Sequence, residues 1–151
     1  MPDTYVQQRV HLVWSTRNRQ DFLTVEIRER LWPYIGGIIR HNNGVVFAIG
    51  GVADHVHIYC EYPKTISLAQ FVSKIKSNSS KWLRETFPEL QGFHWQSGYG
   101  AFSVGRRGDE PLAEYIRSQE AHHRTMTFET EYLRILSAHR IPYDSRYVLA
   151  G

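Results

Sequence analysis

Val45-Val46-Phe47-Ala48-Ile49-Gly50-Gly51-Val52-Ala53-Asp54-His55-Val56-His57-Ile58-Tyr59-Cys60-Glu61-Tyr62 is the stretch on which the fold turns. Val45 to Ile49 is a short, wholly apolar run, the pattern of a buried strand. His55 to Tyr62 alternates in character and reads as the next strand, ended by Pro63. Gly50-Gly51 between them predicts a turn or bulge. Two successive strands in mid-chain need other elements to cover their faces, and the flanking sequence supplies them.

Upstream, Tyr5 to Ser15 is rich in β-branched and aromatic residues and predicts a first strand, followed by a polar loop over Thr16 to Asp21. Val25 to His41 carries Leu31, Ile35, Ile38 and Ile39 at helical spacing; Pro33 inside the pattern predicts a kink or a break. Asn42-Asn43-Gly44 is a helix stop. Downstream, Ser67 to Phe87 is the clearest helix. Ser67 and Gln70 fit a capping box, Leu68, Phe71, Val72, Ile75, Trp82 and Leu83 form one apolar stripe, and Pro88 closes it. Phe93 to Val104 mixes aromatics with glycines and predicts a strand ending near Val104. Asp109-Glu110-Pro111 opens a helix that carries Tyr115 and Gln119 and runs to about His123. Thr127 to His139 reads as a last helix, with an irregular tail from Ile141. The order strand, helix, strand, strand, helix, strand predicts an α+β, ferredoxin-like (RRM-like) fold: an antiparallel sheet with helices on one face, plus C-terminal helices.

A chain of 151 residues fits one domain, residues 1–151. With 42% hydrophobic and 22% charged residues it reads as globular rather than disordered. The net charge of +3 permits a polyanionic partner without demanding one. One cysteine, Cys60, excludes a disulfide framework and a thiolate metal cage, and reads as a small buried residue. The start lacks the apolar core of a signal peptide, and no apolar run approaches ~18 residues, so the expectation is a cytoplasmic protein without a membrane span.

The chemistry starts from His55-Val56-His57. Side chains alternate along a strand, so the two histidines share a face, roughly 7 Å apart along the backbone, and two imidazoles can converge on one ion. A pair of exposed polar residues has the same pattern. Asp54 is placed to orient one imidazole as an acceptor behind it. Tyr115 and Gln119, four apart on a helix, share a face. Tyrosine can be a covalent nucleophile, and a glutamine oxygen is a hard neutral ligand suited to Mg²⁺ or Mn²⁺. Taken together, two histidines and a glutamine would hold a divalent ion while Tyr115 attacks phosphorus. A phenol leaves more easily than a sugar hydroxyl, so an aryl phosphodiester keeps the bond energy for rejoining. No residue stands out as the general base.

Several stretches in this order carry a resemblance: His11-Leu12-Val13-Trp14-Ser15-Thr16, Ile49 to His57, Lys74-Ile75-Lys76-Ser77-Asn78-Ser79-Ser80, Trp95 to Val104, and Tyr115-Ile116-Arg117-Ser118-Gln119-Glu120-Ala121-His122-His123. Spanning most of the chain, they resemble the single-tyrosine HUH transposases of the insertion-sequence two-hundred group. The resemblance implies that His55 and His57 are the HUH metal ligands, Gln119 the third ligand and Tyr115 the nucleophile. It further implies a 5′-phosphotyrosine link with release of a 3′-OH, single-stranded DNA with hairpins near element ends as substrate, and a homodimer in which one subunit's tyrosine can serve the other's histidines.

Around that site, His122 and His123 follow Gln119 by three and four residues; His123 is a candidate supporting residue, or a histidine favourably placed at a helix C-terminus. His11 reads as structural. Lys74, Lys76, Lys81 and Arg84 on the capped helix, with Arg106 and Arg107 in a glycine-flanked loop, are candidates for gripping the DNA backbone, although a charged face opposite an apolar stripe is also ordinary. Tyr99 and Phe102 would stack on bases or pack an interface. Three other functions compete: a domesticated relative that processes chromosomal palindromes, a non-catalytic single-stranded nucleic-acid-binding module on the same kind of sheet, and a metal hydrolase, which would want a carboxylate or a third histidine.

Overall fold

The computed structural model describes residues 3–149. Four strands, β1 (Arg9–Ser15), β2 (Val45–Val52), β3 (His55–Glu61) and β4 (Gly100–Ser103), form one sheet in the order β2-β3-β1-β4. Each neighbouring pair is antiparallel. Helix α1 (Val25–His41) joins β1 to β2, and α2 (Leu68–Thr86) joins β3 to β4. Three helices follow: α3 (Asp109–Arg117), α4 (Gln119–His122) and α5 (Phe128–Ala138). This is the ferredoxin-like α+β arrangement with C-terminal helices.

Strand alternation sorts the sheet into two faces. Val10, Leu12 and Trp14 of β1, with Val56, Ile58 and Cys60 of β3, pack against Leu31, Ile35 and Ile39 of α1 and Phe71, Val72 and Ile75 of α2. The residues between them face the other way. There Val13 and Phe102 meet Phe128, Tyr132 and Leu136 of α5, while Ala48 and Tyr59 meet Ala113 and Ile116 of α3. Helices therefore cover both faces, and the C-terminal helices close over the face that carries His11, His55 and His57.

Local signals hold where the backbone is decided locally. Ser67 and Gln70 make the full capping box of α2. Asn42 caps α1 by donating its amide to the Ile38 carbonyl, 2.8 Å away, and Asn43 takes a left-handed turn at φ 63°.

Packing overrules four expectations. Helix α1 runs unbroken through Pro33: Leu31, Ile35 and Ile39 anchor it on both sides of the proline, and the carbonyl that loses its donor belongs to the exposed Glu29, where water can reach it. Gly50-Gly51 is neither turn nor bulge but continues β2 to Val52; the turn falls at Ala53-Asp54 and the register shift at Phe47. The glycines serve close approach instead. A Cβ on Gly50 would sit 2.2 Å from the Ile116 carbonyl oxygen of α3, and one on Gly51 would sit 2.2 Å from the His55 carbonyl oxygen. The helix expected from Asp109 to about His123 is divided at Ser118, whose N–H bonds both the Glu114 and Tyr115 carbonyls and tightens the turn. Finally, β1 starts only at Arg9 rather than at Tyr5, whereas β4 ends at Ser103, next to Val104, as expected.

Candidate active site

His55 and His57 begin β3, opposite Ser15 and Val13 of β1. Both are fully buried. Each ring has one nitrogen held from behind and the other turned inward. His55 Nδ1 lies 2.7 Å from Asp54 Oδ1, so its Nε2 faces Gln119 Oε1 at 2.9 Å and Glu131 Oε1 at 3.3 Å. His57 Nδ1 lies 2.8 Å from His11 Nε2, leaving its Nε2 3.0 Å from Glu131 Oε1. Outer partners of this kind fix the tautomer and aim of a ligating imidazole.

Helix α3 brings Tyr115 to the same point. Its seating on β2 depends on bare backbone at Gly50 against Ile116, the residue after the tyrosine. The Tyr115 hydroxyl donates to Glu131 Oε2. Gln119, just past the break at Ser118, donates its amide to the same Oε2 at 3.0 Å. His123 Nε2 lies 3.0 Å from Glu131 Oε1, and the His122 ring tilts over that of Tyr115 at 4.8 Å. The predicted set of His55, His57, Tyr115, Gln119, Asp54 and His123 is thus assembled within one chain, around the carboxylate of Glu131.

Burial and neighbours set the protonation states. Burial, reinforced by His57, pulls His11 down to about 3. Burial also outweighs Glu131 at His57, which falls to about 4. Both rings are therefore neutral at pH 7. Burial would lower His55 as well, but Asp54 and Glu131 overcome it and raise it to about 9. For Glu131, burial would raise the pKa, but hydrogen bonds from His123, His55 and His57 hold the carboxyl well below the usual range. Burial, then Glu131, push the Tyr115 phenol above its ordinary value. As it stands, the cluster keeps Tyr115 protonated.

Ligand atoms from His55, His57 and Glu131 all lie within 4.8 Å of one another. Two imidazoles and a carboxylate, with the Gln119 oxygen adjacent, make a mixed nitrogen and oxygen donor set that suits a divalent cation.

The family model described as "Transposase IS200 like" matches residues 4–119, which hold both histidines, the tyrosine and the glutamine. The chain belongs to the IS200-like transposase family. It is 26% identical over 121 residues to the ISDra2 transposase TnpA of Deinococcus radiodurans, covering 76% of this chain and 86% of that protein. With the transposase for insertion sequence element IS200 of Salmonella typhimurium it shares 25% identity over 116 residues, 74% of this chain and 76% of the other. Its fold is similar to that of a putative transposase from Deinococcus radiodurans (TM-score 0.65, 24% identity, 79% of this chain and 96% of that one). It is also similar to that of a REP-associated tyrosine transposase bound to a REP hairpin (TM-score 0.60, 16% identity, 82% and 73%).

In this IS200-like transposase the basic candidates do not gather at the histidines. Lys74, Lys76, Lys81 and Arg84 ride on α2, across the sheet. Lys76 is spent on structure, donating to the Gln96 and Gly98 carbonyls at 2.6 and 2.9 Å, and Arg84 donates to the Phe93 carbonyl at 3.1 Å. Lys74 and Lys81 are exposed, as are Arg106 and Arg107 in the turn before α3. Phe102 is core and presents no ring to a base, whereas Tyr99 is partly exposed. No helix among the described residues is long and apolar enough to cross a membrane.

Sequence reasoning missed Glu131. A signal for it existed: Phe128, Tyr132 and Leu136 recur every fourth residue as an apolar stripe on α5, and Glu131 lies on that stripe, where an acid needs a reason to be.

Proposed function

We propose that this transposase cleaves and rejoins single-stranded DNA through Tyr115, with His55, His57 and Gln119 holding Mg²⁺ or Mn²⁺. The observation that carries the reading is the meeting of the Tyr115 hydroxyl and both histidine Nε2 faces at one buried carboxylate. A bound divalent ion supplies Lewis-acid polarisation of a phosphate oxygen and neutralises charge as it develops. The chain's residues do the rest. Glu131 Oε2 accepts a hydrogen bond from the hydroxyl, which fixes the phenol and leaves its oxygen lone pairs for phosphorus. The Tyr115 oxygen forms a bond to phosphorus, the bond from phosphorus to the 3′ oxygen breaks, and overall the phenolic proton ends on the released 3′-OH. The 5′-phosphotyrosine so formed has a good leaving group and is reopened by an incoming 3′-OH, which restores the tyrosine.

Hairpin-bearing single strands are the substrate class; the fold likeness to a transposase bound to a REP hairpin supports this. We also propose a homodimer in the cytoplasm. Because Tyr115 reaches the histidines of its own chain, each subunit of that dimer works with its own tyrosine. Exposed Lys74, Lys81, Arg106 and Arg107 contact the DNA backbone. The family assignment favours mobilisation of an element over the processing of chromosomal palindromes.

Covalent capture tests the reading. The protein is incubated with Mn²⁺ and labelled single-stranded DNA carrying hairpins from its own genomic flanks, then run on a denaturing gel. A labelled protein band, absent from Tyr115→Phe and from the His55→Ala, His57→Ala double variant, is the expected result. DNA that is bound but neither cut nor linked under any metal would leave a binding module in its place.

A further inference from the structure

Glu131 is 1% exposed, and a carboxylate this deep needs compensation. Its surroundings are three imidazoles, a phenol and an amide; among the described residues no lysine or arginine pairs with it. A divalent ion would bring a fixed positive charge, which titratable imidazoles do not. The two oxygens of Glu131 are already divided between tasks: Oε1 faces the inward nitrogens of His55 and His57 at 3.3 and 3.0 Å, while Oε2 holds Tyr115 and Gln119. An ionised carboxylate is also a stronger ligand for Mg²⁺ or Mn²⁺ than a neutral amide oxygen. Helix α5, which carries Glu131, lies beyond residue 119, where the match to the family ends.

We infer that Glu131 is a metal ligand of this transposase, delivered by α5 from outside the family segment, giving a His55, His57 and Glu131 set with Gln119 beside it. The inference rests on the metal-assisted reading above and adds a donor to it. With Gln119 this makes four protein donors, which leaves two positions of a six-coordinate ion for substrate or water. Through its second oxygen the same carboxylate ties the nucleophile to the ion, so α5 belongs to the active site and is more than a cover for the sheet.

The test uses the full chain, stripped with chelator, titrated calorimetrically with Mn²⁺ and then Cd²⁺, with circular dichroism as a fold check. Wild type should bind Mn²⁺, and Glu131→Gln should weaken that binding by at least about tenfold. Glu131→Cys offers a gain instead of a loss: a thiolate in contact with the ion prefers soft metals, so the preference for Cd²⁺ over Mn²⁺ should rise at least about tenfold over wild type. That second readout decides the matter if the glutamine variant folds poorly. Unchanged Mn²⁺ affinity in Glu131→Gln, or an unchanged metal preference in Glu131→Cys, overturns the assignment of Glu131 and leaves the metal-assisted reading standing. Failure of wild type to bind any divalent ion overturns both.

Discussion

Gly50 of β2 and Ile116 of α3 touch backbone to backbone: a Cβ on the glycine would lie 2.2 Å from the Ile116 carbonyl oxygen. That contact sets how closely α3 lies on the sheet, and Tyr115 is the residue before Ile116. Gly50→Ala must therefore lift α3, and with it the tyrosine, while His55 and His57 stay fixed in the β1 to β3 ladder. The expected cost is about 1–3 kcal/mol in chemical denaturation. Mn²⁺ binding should be retained in part, while phosphotyrosine formation drops much further. A variant with wild-type cleavage would show that the seating of α3 does not govern the nucleophile.

Tyr115→Phe removes one hydroxyl from a carboxylate that keeps Gln119 and three imidazoles around it. Binding of hairpin DNA and of Mn²⁺ should survive, while covalent product falls by at least about a thousandfold, as expected for loss of a nucleophile. Gel-shift and capture assays on the same preparation separate the two effects. Residual covalent product near the wild-type level would point to another tyrosine.

Placement of Tyr115 at the histidines of its own chain makes a mixing experiment informative. Tyr115→Phe and the His55→Ala, His57→Ala double variant, unfolded together and refolded as a mixture, form mixed dimers if the protein dimerises. With each subunit using its own tyrosine, the mixture should stay inactive. Recovery of about a quarter or more of wild-type capture would instead mean that tyrosine and histidines meet across the dimer.

How much of this was legible depends on the range of the forces involved. The α2 capping box, the Asn42-Asn43-Gly44 stop and the shared face of His55 and His57 are set within a few residues, and all could be read from the chain. The break at Pro33 and the turn or bulge at Gly50 fail because their fate is decided by partners far away in sequence: the apolar anchors around α1 in one case, the Ile116 backbone in the other. Glu131 lay hidden for the same reason, 74 residues from the His57 it meets; only its place on an apolar stripe gave a hint. The α2 cations show the converse, since spacing on a helix cannot tell a lysine that faces solvent from one that ties down the neighbouring loop.

Those cations should separate by experiment. Lys76→Ala loses two charged hydrogen bonds to the Gln96 and Gly98 carbonyls, which water can partly replace at this half-buried site, so about 1–2 kcal/mol of stability should go. Lys74→Ala with Lys81→Ala should leave the melting temperature nearly unchanged and weaken hairpin binding. The slope of log affinity against log salt should fall by roughly 0.7 for each phosphate contact removed from a single strand. An unchanged salt slope would remove α2 from the DNA interface.

The metal-free cluster should also give the fold an unusual pH profile. His55 is raised from 6.5 to about 9, burial being outweighed by Asp54 and Glu131; its stabilising proton is fully in place below pH 6.5 and is lost as pH rises through about 9. His57 and His11, lowered to about 4 and about 3 chiefly by burial, work on the other side. The unfolded chain takes up protons at these rings from pH 6.5 downward and the folded chain resists, so stability falls as pH drops toward 4 and then 3. With chelator present, the melting temperature should peak near pH 6.5 and decline in both directions. Saturating Mn²⁺ should remove the alkaline decline, because the ion takes the place of the His55 proton and binds better as protons leave. Glu131→Gln should soften that decline without metal, since His55 then keeps only Asp54 as an anionic partner. A melting temperature that is flat or rising between pH 6.5 and 9 in chelator would mean that His55 carries no proton in the folded protein, and that the charge of Glu131 is balanced in some other way.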